Sequence, residues 1–265
     1  MKTPCWMKWL VGSWTAFLVL FLYVPIICVI MASFSKSRFF KFPYSDFTTK
    51  WYDKTFASPA VEGFLSNSLQ IGGVVAGFAI VLGFLGALAF VRYDWKGQKI
   101  YQKMILLPIF FPQAVLGLAL LLWFTYVGII PNWWTAVLAH LVWIVPIVIL
   151  VISIQMYGFD ASMEEAAYDL GAKRWQVYWE VTLPVLAPGV ISGGLWGFLL
   201  SWGNFPLSAF TTGADSTLPE WIFGKMVGSY TPMIPAIGSL IIAAVAVLTF
   251  GGFFALILMR RRHAR

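Results

Sequence analysis

The sequence predicts an all-α integral membrane protein with six transmembrane helices and both termini in the cytoplasm. Of its 265 residues, 60% are hydrophobic and only 11% are charged, whereas soluble domains carry about 25% charged residues. The charged residues also cluster, leaving five long stretches of sequence without a single charge. A chain of this length and composition is predicted to form one membrane-embedded domain, residues 1–265.

The six predicted spans follow from the uncharged stretches, because crossing the hydrocarbon core takes about 20 apolar residues. Four of the stretches accommodate one span each. The third, residues 104–159, is about twice as long and accommodates two, separated at "VGIIPNWW", where Gly128, Pro131 and Asn132 favour a turn. The predicted spans are approximately 9–34, 64–91, 104–127, 134–157, 186–210 and 234–259.

The orientation of the spans is predicted from the lysine and arginine residues, which favour cytoplasmic segments. With the N-terminus inside, twelve of these residues fall on the inner side and six on the outer side. The inner group includes Lys2 and the tail "RRRHAR", which ends at Arg265. The apolar run of the first span is too long for a cleaved signal peptide. The segment 160–184 is therefore predicted to be cytoplasmic.

Several classes of function are disfavoured by the sequence. The net charge is +7, and four of the basic residues lie in the tail. Basic residues are expected directly after a span at the cytoplasmic face, so they do not indicate a nucleic-acid surface. Cys5 and Cys28 lack metal-ligand spacing, and His140 and His263 alone cannot form a metal site. The chain has no G-x-x-x-x-G-K-[ST] loop, so it is not predicted to hydrolyse ATP. We expect no catalytic residue, no metal site and no cofactor in this chain.

The segment 160–184 is a compact polar insert between apolar stretches. Ser162 and Glu165 have the spacing of a capping box that opens a short helix through Leu170. Gly171 permits a left-handed C-cap, and a second helical piece follows until Pro184 stops it. The simplest interpretation is a solvated loop. The combination of small residues, acids, a glycine and paired prolines favours a docking surface for another protein instead.

The insert resembles the EAA loop of type I ABC importer permeases with the MetI-like fold. The family pattern is E-A-A, three residues, G, nine residues, an aliphatic residue, one residue and L-P, and Glu165, Gly171 and Val181 fall at the matching positions. The resemblance implies a coupling helix that sits in a cleft of a separate ATPase. The coupling residues that it implies are Glu164, Glu165, Ala166, Ala167, Asp169, Gly171, Ala172, Leu183 and Pro184.

Other segments are similar to the spermidine/putrescine-type permease subunits, among them "VRYDWKGQK" and "TTGADSTLPEWIFGKM". This resemblance covers most of the chain and implies a multi-pass protein of the bacterial cytoplasmic (inner) membrane. It also implies the partners: two ATP-binding subunits, which bind the ATP and Mg, a second related permease subunit and an extracytoplasmic binding protein. Membrane lipid is the other expected contact, and no nucleic acid is expected.

The candidate substrate path is drawn from polar residues within spans, which are costly in lipid and so often functional. Gly203, Asn204 and Pro206 interrupt the fifth predicted span, as in the broken helices of transporters. The alternative is that Ser201 and Asn204 only hydrogen-bond to a neighbouring helix, which is also the expectation for His140. The path candidates are Asn67, Gln113, Ser201, Trp202, Asn204 and Ser208.

The nature of the solute is left open by the sequence. No acidic residue lies within a predicted span, which argues against a polycation and leaves neutral, zwitterionic and anionic solutes. A solute of the polyamine, opine or amino-acid-derivative type fits the resemblance. The basic outer loop agrees with an anionic solute or docks the binding protein; it contains Lys36, Arg38, Lys41, Lys50 and Lys54.

The leading hypothesis is a non-enzymatic permease subunit that forms half of a translocation path and is driven by a separate ATPase. The alternative is an autonomous secondary transporter or channel, which would use ionisable groups within its spans. A membrane-embedded enzyme would need catalytic polar groups clustered at one depth, and no such cluster is evident.

Overall fold

The computed structural model describes residues 4–38 and 47–263, with side chains as far as residue 251 and at residue 254. Lys2, Lys41 and Arg265, used above for orientation and for the basic outer loop, lie outside the described residues. Secondary structure in the described part is helical, apart from one isolated bridge between Ser35 and Phe47. The prediction of an all-α fold is confirmed.

Thirteen helices are assigned within the described residues, two of which continue as π-helical turns at Leu88–Arg92 and Tyr178–Thr182. In chain order they are α1 Cys5–Ser33, α2 Lys50–Phe56, α3 Pro59–Ala87, α4 Gln98–Met104, α5 Leu107–Phe110, α6 Gln113–Tyr126, α7 Trp133–Tyr157, α8 Ser162–Asp169, α9 Arg174–Val177, α10 Leu183–Trp202, α11 Phe205–Thr211, α12 Leu218–Gly228 and α13 Met233–His263.

Five apolar stretches of helix in the described residues are long enough to cross a membrane, and a bent pair of helices brings the total to six if it counts as one span. The five are Cys5–Ser33, Pro59–Arg92, Trp133–Tyr157, Arg174–Trp202 and Met233–Gly251.

The third predicted span, 104–127, is not the straight helix that its hydropathy suggested. The structure divides the region into Gln98–Phe110 and Gln113–Tyr126, which meet at an angle of 101°. Phe111 is extended, with ψ of 135°, and Pro112 precedes α6. A proline disfavours helical geometry in the residue before it, so Pro112 accounts for the end of α5 and the bend.

The contacts group the chain into two compact units, residues 1–61 with 222–265, and residues 62–221. In the first unit α1 packs along α13, and α2 joins them through Tyr52. The Tyr52 hydroxyl hydrogen-bonds to Ser33 Oγ at 2.6 Å and to Ser239 Oγ at 2.8 Å. This shared hydroxyl satisfies polar groups on three helices at once.

The second unit is built around α7, whose buried residues include Ile144, Val148 and Ile152. Helix α10 lies against α7 through a row of glycines. A Cβ added at Gly189 would stand 2.6 Å from Gln155 Cβ, and one at Gly193 would stand 3.0 Å from side-chain atoms of Val148 and Ile152. Small residues of this kind let membrane helices approach closely.

The turn predicted between the third and fourth spans is present in the second unit. Gly128 has φ of +77°, in the left-handed region. Asn132 caps α7, because its Oδ1 accepts the Trp134 N–H at 2.8 Å, and Thr135 Oγ1 accepts the Asn132 N–H at 2.7 Å. The segment that was predicted to separate two spans therefore ends in a reciprocal N-terminal cap.

Candidate functional site

The segment 160–184 contains two short helices joined at a glycine. Gly171 has φ of +85°, and its N–H donates to Tyr168 O at 2.9 Å while the Ala172 N–H donates to Ala167 O at 3.1 Å. These two bonds form a Schellman motif, in which a left-handed residue satisfies the last carbonyls of a helix. The prediction of a left-handed cap at Gly171 is confirmed.

The capping box predicted at Ser162 is wrong. Helix α8 has Ala161 as its N-cap, and Ser162 is its first helical residue. Asp160 takes part of the capping role, since its Oδ1 accepts the Ser162 N–H at 2.9 Å. This hydrogen bond lowers the pKa of the Asp160 carboxyl below its ordinary value.

Pro184 does not stop the second helical piece, contrary to the prediction. Helix continues from Arg174 to Trp202, and Pro184 lies in the first turn of α10, directly after the π-helical turn Tyr178–Thr182. An interior proline lacks an N–H and crowds the carbonyl four residues earlier. Here that carbonyl belongs to Glu180, inside the wider π-helical turn, which accommodates the ring.

Helix α8 presents two different faces. Glu165, Ala166 and Asp169 are exposed, and Leu170, which follows them, keeps 89% of its surface accessible. Glu164 and Tyr168 lie one turn apart, and Glu164, which is only partly exposed, points about 100° away from Glu165.

The Glu164 carboxylate is bonded within the chain at two points. Arg92 Nη2 forms an ion pair with Glu164 Oε2, and the Thr182 hydroxyl donates to Glu164 Oε1. Arg92 also lies over the ring of Phe159, with 5.3 Å between the guanidinium carbon and the ring centre. Glu164 therefore ties α8 to the end of the helix 59–92 and to the start of the helix 174–202.

The other predicted coupling residues lie around these two helices. Ala167, Ala172 and Leu183 are half-buried, whereas Pro184 is exposed. Lys173 opens α9, and its N–H donates to Gln176 Oε1 at 2.9 Å. The predicted coupling residues thus include an exposed set on α8, with Gly171 and Pro184 also exposed, and a partly buried set that packs within the chain.

Two of the predicted path residues bond to one buried histidine. His140 Nδ1 lies 2.8 Å from Ser201 Oγ, and His140 Nε2 lies 3.0 Å from Ser208 Oγ. All three side chains are buried. The histidine therefore joins α7 to both α10 and α11, across the interruption between the last two. Sequence spacing does not reveal this contact, because Ser201 and Ser208 lie 61 and 68 residues from His140.

The interruption predicted at Gly203–Asn204 is present between α10 and α11. Asn204 caps α11, with its Oδ1 accepting the Leu207 N–H at 3.2 Å. Its Nδ2 is buried and has no hydrogen-bond partner among the described residues. Trp202, beside the interruption, stacks on Phe198 with ring centres 6.1 Å apart.

The remaining path candidates are one residue within α3 and one at the start of α6. Asn67 Nδ2 donates to Ser216 O at 3.2 Å, and the neighbouring Ser68 Oγ accepts the Leu218 N–H at 2.8 Å. Together they hold the segment before α12. Gln113 is half-buried and is the first residue of α6.

Glu220 organises the same segment and was missed by the sequence interpretation. Its Oε1 accepts the Thr212 hydroxyl and its Oε2 accepts the Thr217 N–H, each at 2.7 Å. Burial raises the pKa of the Glu220 carboxyl, and these hydrogen bonds offset part of the increase. The T-x-x-E spacing of Thr217 and Glu220 is a capping-box signal that would have identified this anchor.

Comparison with known proteins gives a consistent family match. Residues 79–265 match the family described as "Binding-protein-dependent transport system inner membrane component". The chain is 30% identical over 238 residues to the spermidine/putrescine transport system permease protein PotC of Escherichia coli (strain K12), covering 89% of this chain and 90% of that protein. It is 33% identical over 249 residues to the putrescine transport system permease protein PotI of the same strain, covering 91% and 87%.

Solved structures agree on the fold. A chain of a bacterial ABC transporter involved in the import of the acidic polysaccharide alginate superposes with a TM-score of 0.70 at 19% identity, covering 96% of both chains. A chain of the MetNI methionine ABC transporter gives a TM-score of 0.55 at 16% identity, covering 77% of this chain and 98% of that one. At these identities the likeness concerns the fold alone.

Proposed function

Because this chain belongs to the family of binding-protein-dependent transport system inner membrane components, we propose that its loop 160–184 couples it to a separate ATPase. The chain is the permease subunit of an ABC importer, and its helices would form half of the path for a small polar solute. ATP and Mg would be bound by two ATPase subunits. A second related permease subunit and an extracytoplasmic binding protein would complete the importer.

The observation that supports coupling is the division of α8 into an exposed face and a tethered face. An ATPase that binds the face formed by Glu165, Ala166 and Asp169 would move α8 as a rigid helix. The displacement passes through Glu164 to Arg92 and Thr182. These two residues belong to the ends of separate apolar helices, so movement at one exposed helix reaches two spans.

A polyamine is the solute to test first. Relatives at about one-third identity are named for spermidine and putrescine, and this chain would bind such a cation without an acid in its predicted spans. The aromatic faces of Phe198 and Trp202 lie beside the interruption at Asn204, and aromatic rings attract ammonium groups. Acidic groups from the second permease subunit would supply the remaining attraction.

The coupling proposal is tested by three variants in the native membrane. Glu165→Arg reverses a charge on the exposed face, and Gly171→Trp places a large side chain where φ is +85°. Asp94→Arg is the matched control, an exposed charge reversal located between α3 and α4. Each variant is purified in mild detergent, and co-purifying proteins are identified by mass spectrometry. Uptake of labelled putrescine and spermidine is measured in the same strains.

We expect Glu165→Arg and Gly171→Trp to lower ATPase recovery and uptake by about tenfold or more, because reversing a charge or inserting a bulky side chain at a protein–protein interface costs more than about 1.4 kcal/mol. Asp94→Arg should retain both. Normal recovery and uptake in the first two variants would refute coupling through α8. Uptake by the chain without any ATPase, driven by an ion gradient, would support the autonomous transporter instead.

A further inference from the structure

A cavity of about 420 Å³ opens on the tethered side of α8. It lies against the end of the helix 59–92 and the start of the helix 174–202. Its lining includes two arginines and four aromatic residues, namely Arg92, Arg174, Tyr93, Tyr168, Trp175 and Tyr178. This side of α8 is distinct from the face that carries Glu165, Ala166 and Asp169.

The charge in the cavity comes mainly from Arg174. The other arginine, Arg92, is already paired with Glu164, which also lines the cavity. The Arg174 guanidinium is exposed and forms no hydrogen bond or ion pair with any residue that the structure describes. Three tyrosine hydroxyls in the lining can donate further hydrogen bonds. The cavity therefore carries one net positive charge and donors suited to a phosphate.

The cavity lies where two membrane-length helices end, and we infer from this position that it lies near the lipid headgroups. Arg92 ends one membrane-length helix and Arg174 begins another, so both mark the boundary where apolar helix meets water. Tyr93 and Trp175 are exposed by more than half, and tyrosine and tryptophan are enriched at this interface because they present an apolar body and a polar tip. A ligand with a charged head and an apolar remainder would match both parts of the lining.

We propose that this cavity binds the phosphate of an anionic phospholipid. Arg174 contacts the phosphate, the tyrosine hydroxyls donate to its oxygens, and Trp175 covers the glycerol and the first methylenes. Basic pockets beside transmembrane helices bind anionic headgroups in this way. The bound lipid would bridge the ends of two helices that Glu164 already connects. The proposal needs only the membrane location of the chain and does not rest on the proposed coupling or solute.

The test uses the full chain, purified and delipidated in neutral detergent. Native mass spectrometry counts the phosphatidylglycerol and phosphatidylcholine molecules retained as each lipid is titrated. The variant is Arg174→Gln, and Lys173→Gln is its matched control, because it removes the same charge from the adjacent exposed residue, which does not line the cavity. Melting temperatures of both variants in phosphatidylcholine alone confirm that they are folded.

The expected result is that the unmodified chain retains one phosphatidylglycerol in preference to phosphatidylcholine. Arg174→Gln should weaken this binding about fivefold, because one basic side chain near a lipid surface contributes about 1 kcal/mol to binding. Lys173→Gln should keep the affinity within about twofold of that of the unmodified chain. Trp175→Ala should also weaken it, without a change of charge.

Three outcomes would overturn the proposal. Equal weakening by Arg174→Gln and Lys173→Gln would show general membrane electrostatics rather than a site. Displacement of the lipid by millimolar inorganic phosphate would identify free phosphate as the ligand. Unchanged lipid binding in Arg174→Gln would show that the cavity does not hold the phosphate of the lipid; loss of the ATPase from the same variant in the co-purification described above would then assign the cavity to the interface between proteins.

Discussion

Replacing Glu164 by alanine should release α8 from the rest of the chain without unfolding it. None of the residues of α8 is fully buried, so apolar packing holds the helix weakly, and the bonds of Glu164 to Arg92 and Thr182 are a major part of its attachment. The side chains of Arg92 and Glu164 are 25% and 13% exposed, which places their ion pair between an exposed and a buried one. Such a pair and a hydroxyl–carboxylate hydrogen bond together contribute about 2–3 kcal/mol.

Loss of this free energy should make local unfolding of α8 much more frequent. A loss of about 2–3 kcal/mol raises the open population of α8 by roughly 30- to 150-fold. Hydrogen–deuterium exchange of peptides covering residues 162–172, measured by mass spectrometry in detergent, reports that population directly. Glu164→Ala should accelerate exchange in this segment and leave the amides of α7 unchanged.

The matched control is Glu165→Ala, one residue along the same helix. Both substitutions remove an acid from the first turn of α8 and so lose the same favourable interaction with the helix dipole, but Glu165 is exposed. Glu164→Gln should fall between them, since its amide oxygen still accepts from Thr182 although the charge is gone. Equal exchange in Glu164→Ala and Glu165→Ala would refute the tether.

Three further predictions concern stability in detergent, measured by thermal unfolding. Gly189→Ala should destabilise the fold by about 1–3 kcal/mol through overpacking, because the added Cβ would stand 2.6 Å from Gln155 Cβ. Gly73→Ala is the control: its added Cβ would have no atom within 4 Å, so the variant should be as stable as the unmodified chain or more stable. The melting temperature should fall as pH rises above the ordinary Glu220 pKa of 4.5, because the folded state binds the carboxyl proton of Glu220 more tightly than the unfolded state does. Glu220→Gln should make the melting temperature less dependent on pH in this range. His140→Leu should cost about 2–4 kcal/mol, since it leaves two buried serine hydroxyls without this partner.

Much of the helical framework was predictable because long apolar stretches without charges mark where membrane-length helices lie. The bend before α6 was missed for a physical reason, since a count of apolar residues ignores the backbone restriction at Pro112. Pro184 shows the opposite error. Its ring was expected to end a helix, yet the π-helical turn Tyr178–Thr182 accommodates it. Proline indicates a local constraint, and the surrounding backbone decides whether the helix breaks or adapts.

The candidate site was predictable as a segment but not residue by residue. The short helix α8 and the left-handed cap at Gly171 were predicted correctly, although the capping box used to place the start of the helix was wrong. The E-A-A spacing could not separate Glu164 from Glu165, because the partner that distinguishes them, Arg92, is 72 residues away in the sequence. Adjacent acids on a helix point about 100° apart, so one can tether the helix while the other faces a partner.

The polar residues within spans give a further distinction, which rests on how each one is satisfied. A buried polar group without a partner costs about 1–3 kcal/mol, and Ser201 and Ser208 avoid this cost by bonding to His140. Asn204 differs, because its Oδ1 caps α11 while its Nδ2 remains buried without a partner among the described residues. A solute or a second permease subunit that accepts this hydrogen bond would recover the cost. Among the predicted path residues at the interruption, Asn204 therefore has the clearest reason to interact with a group from outside the chain.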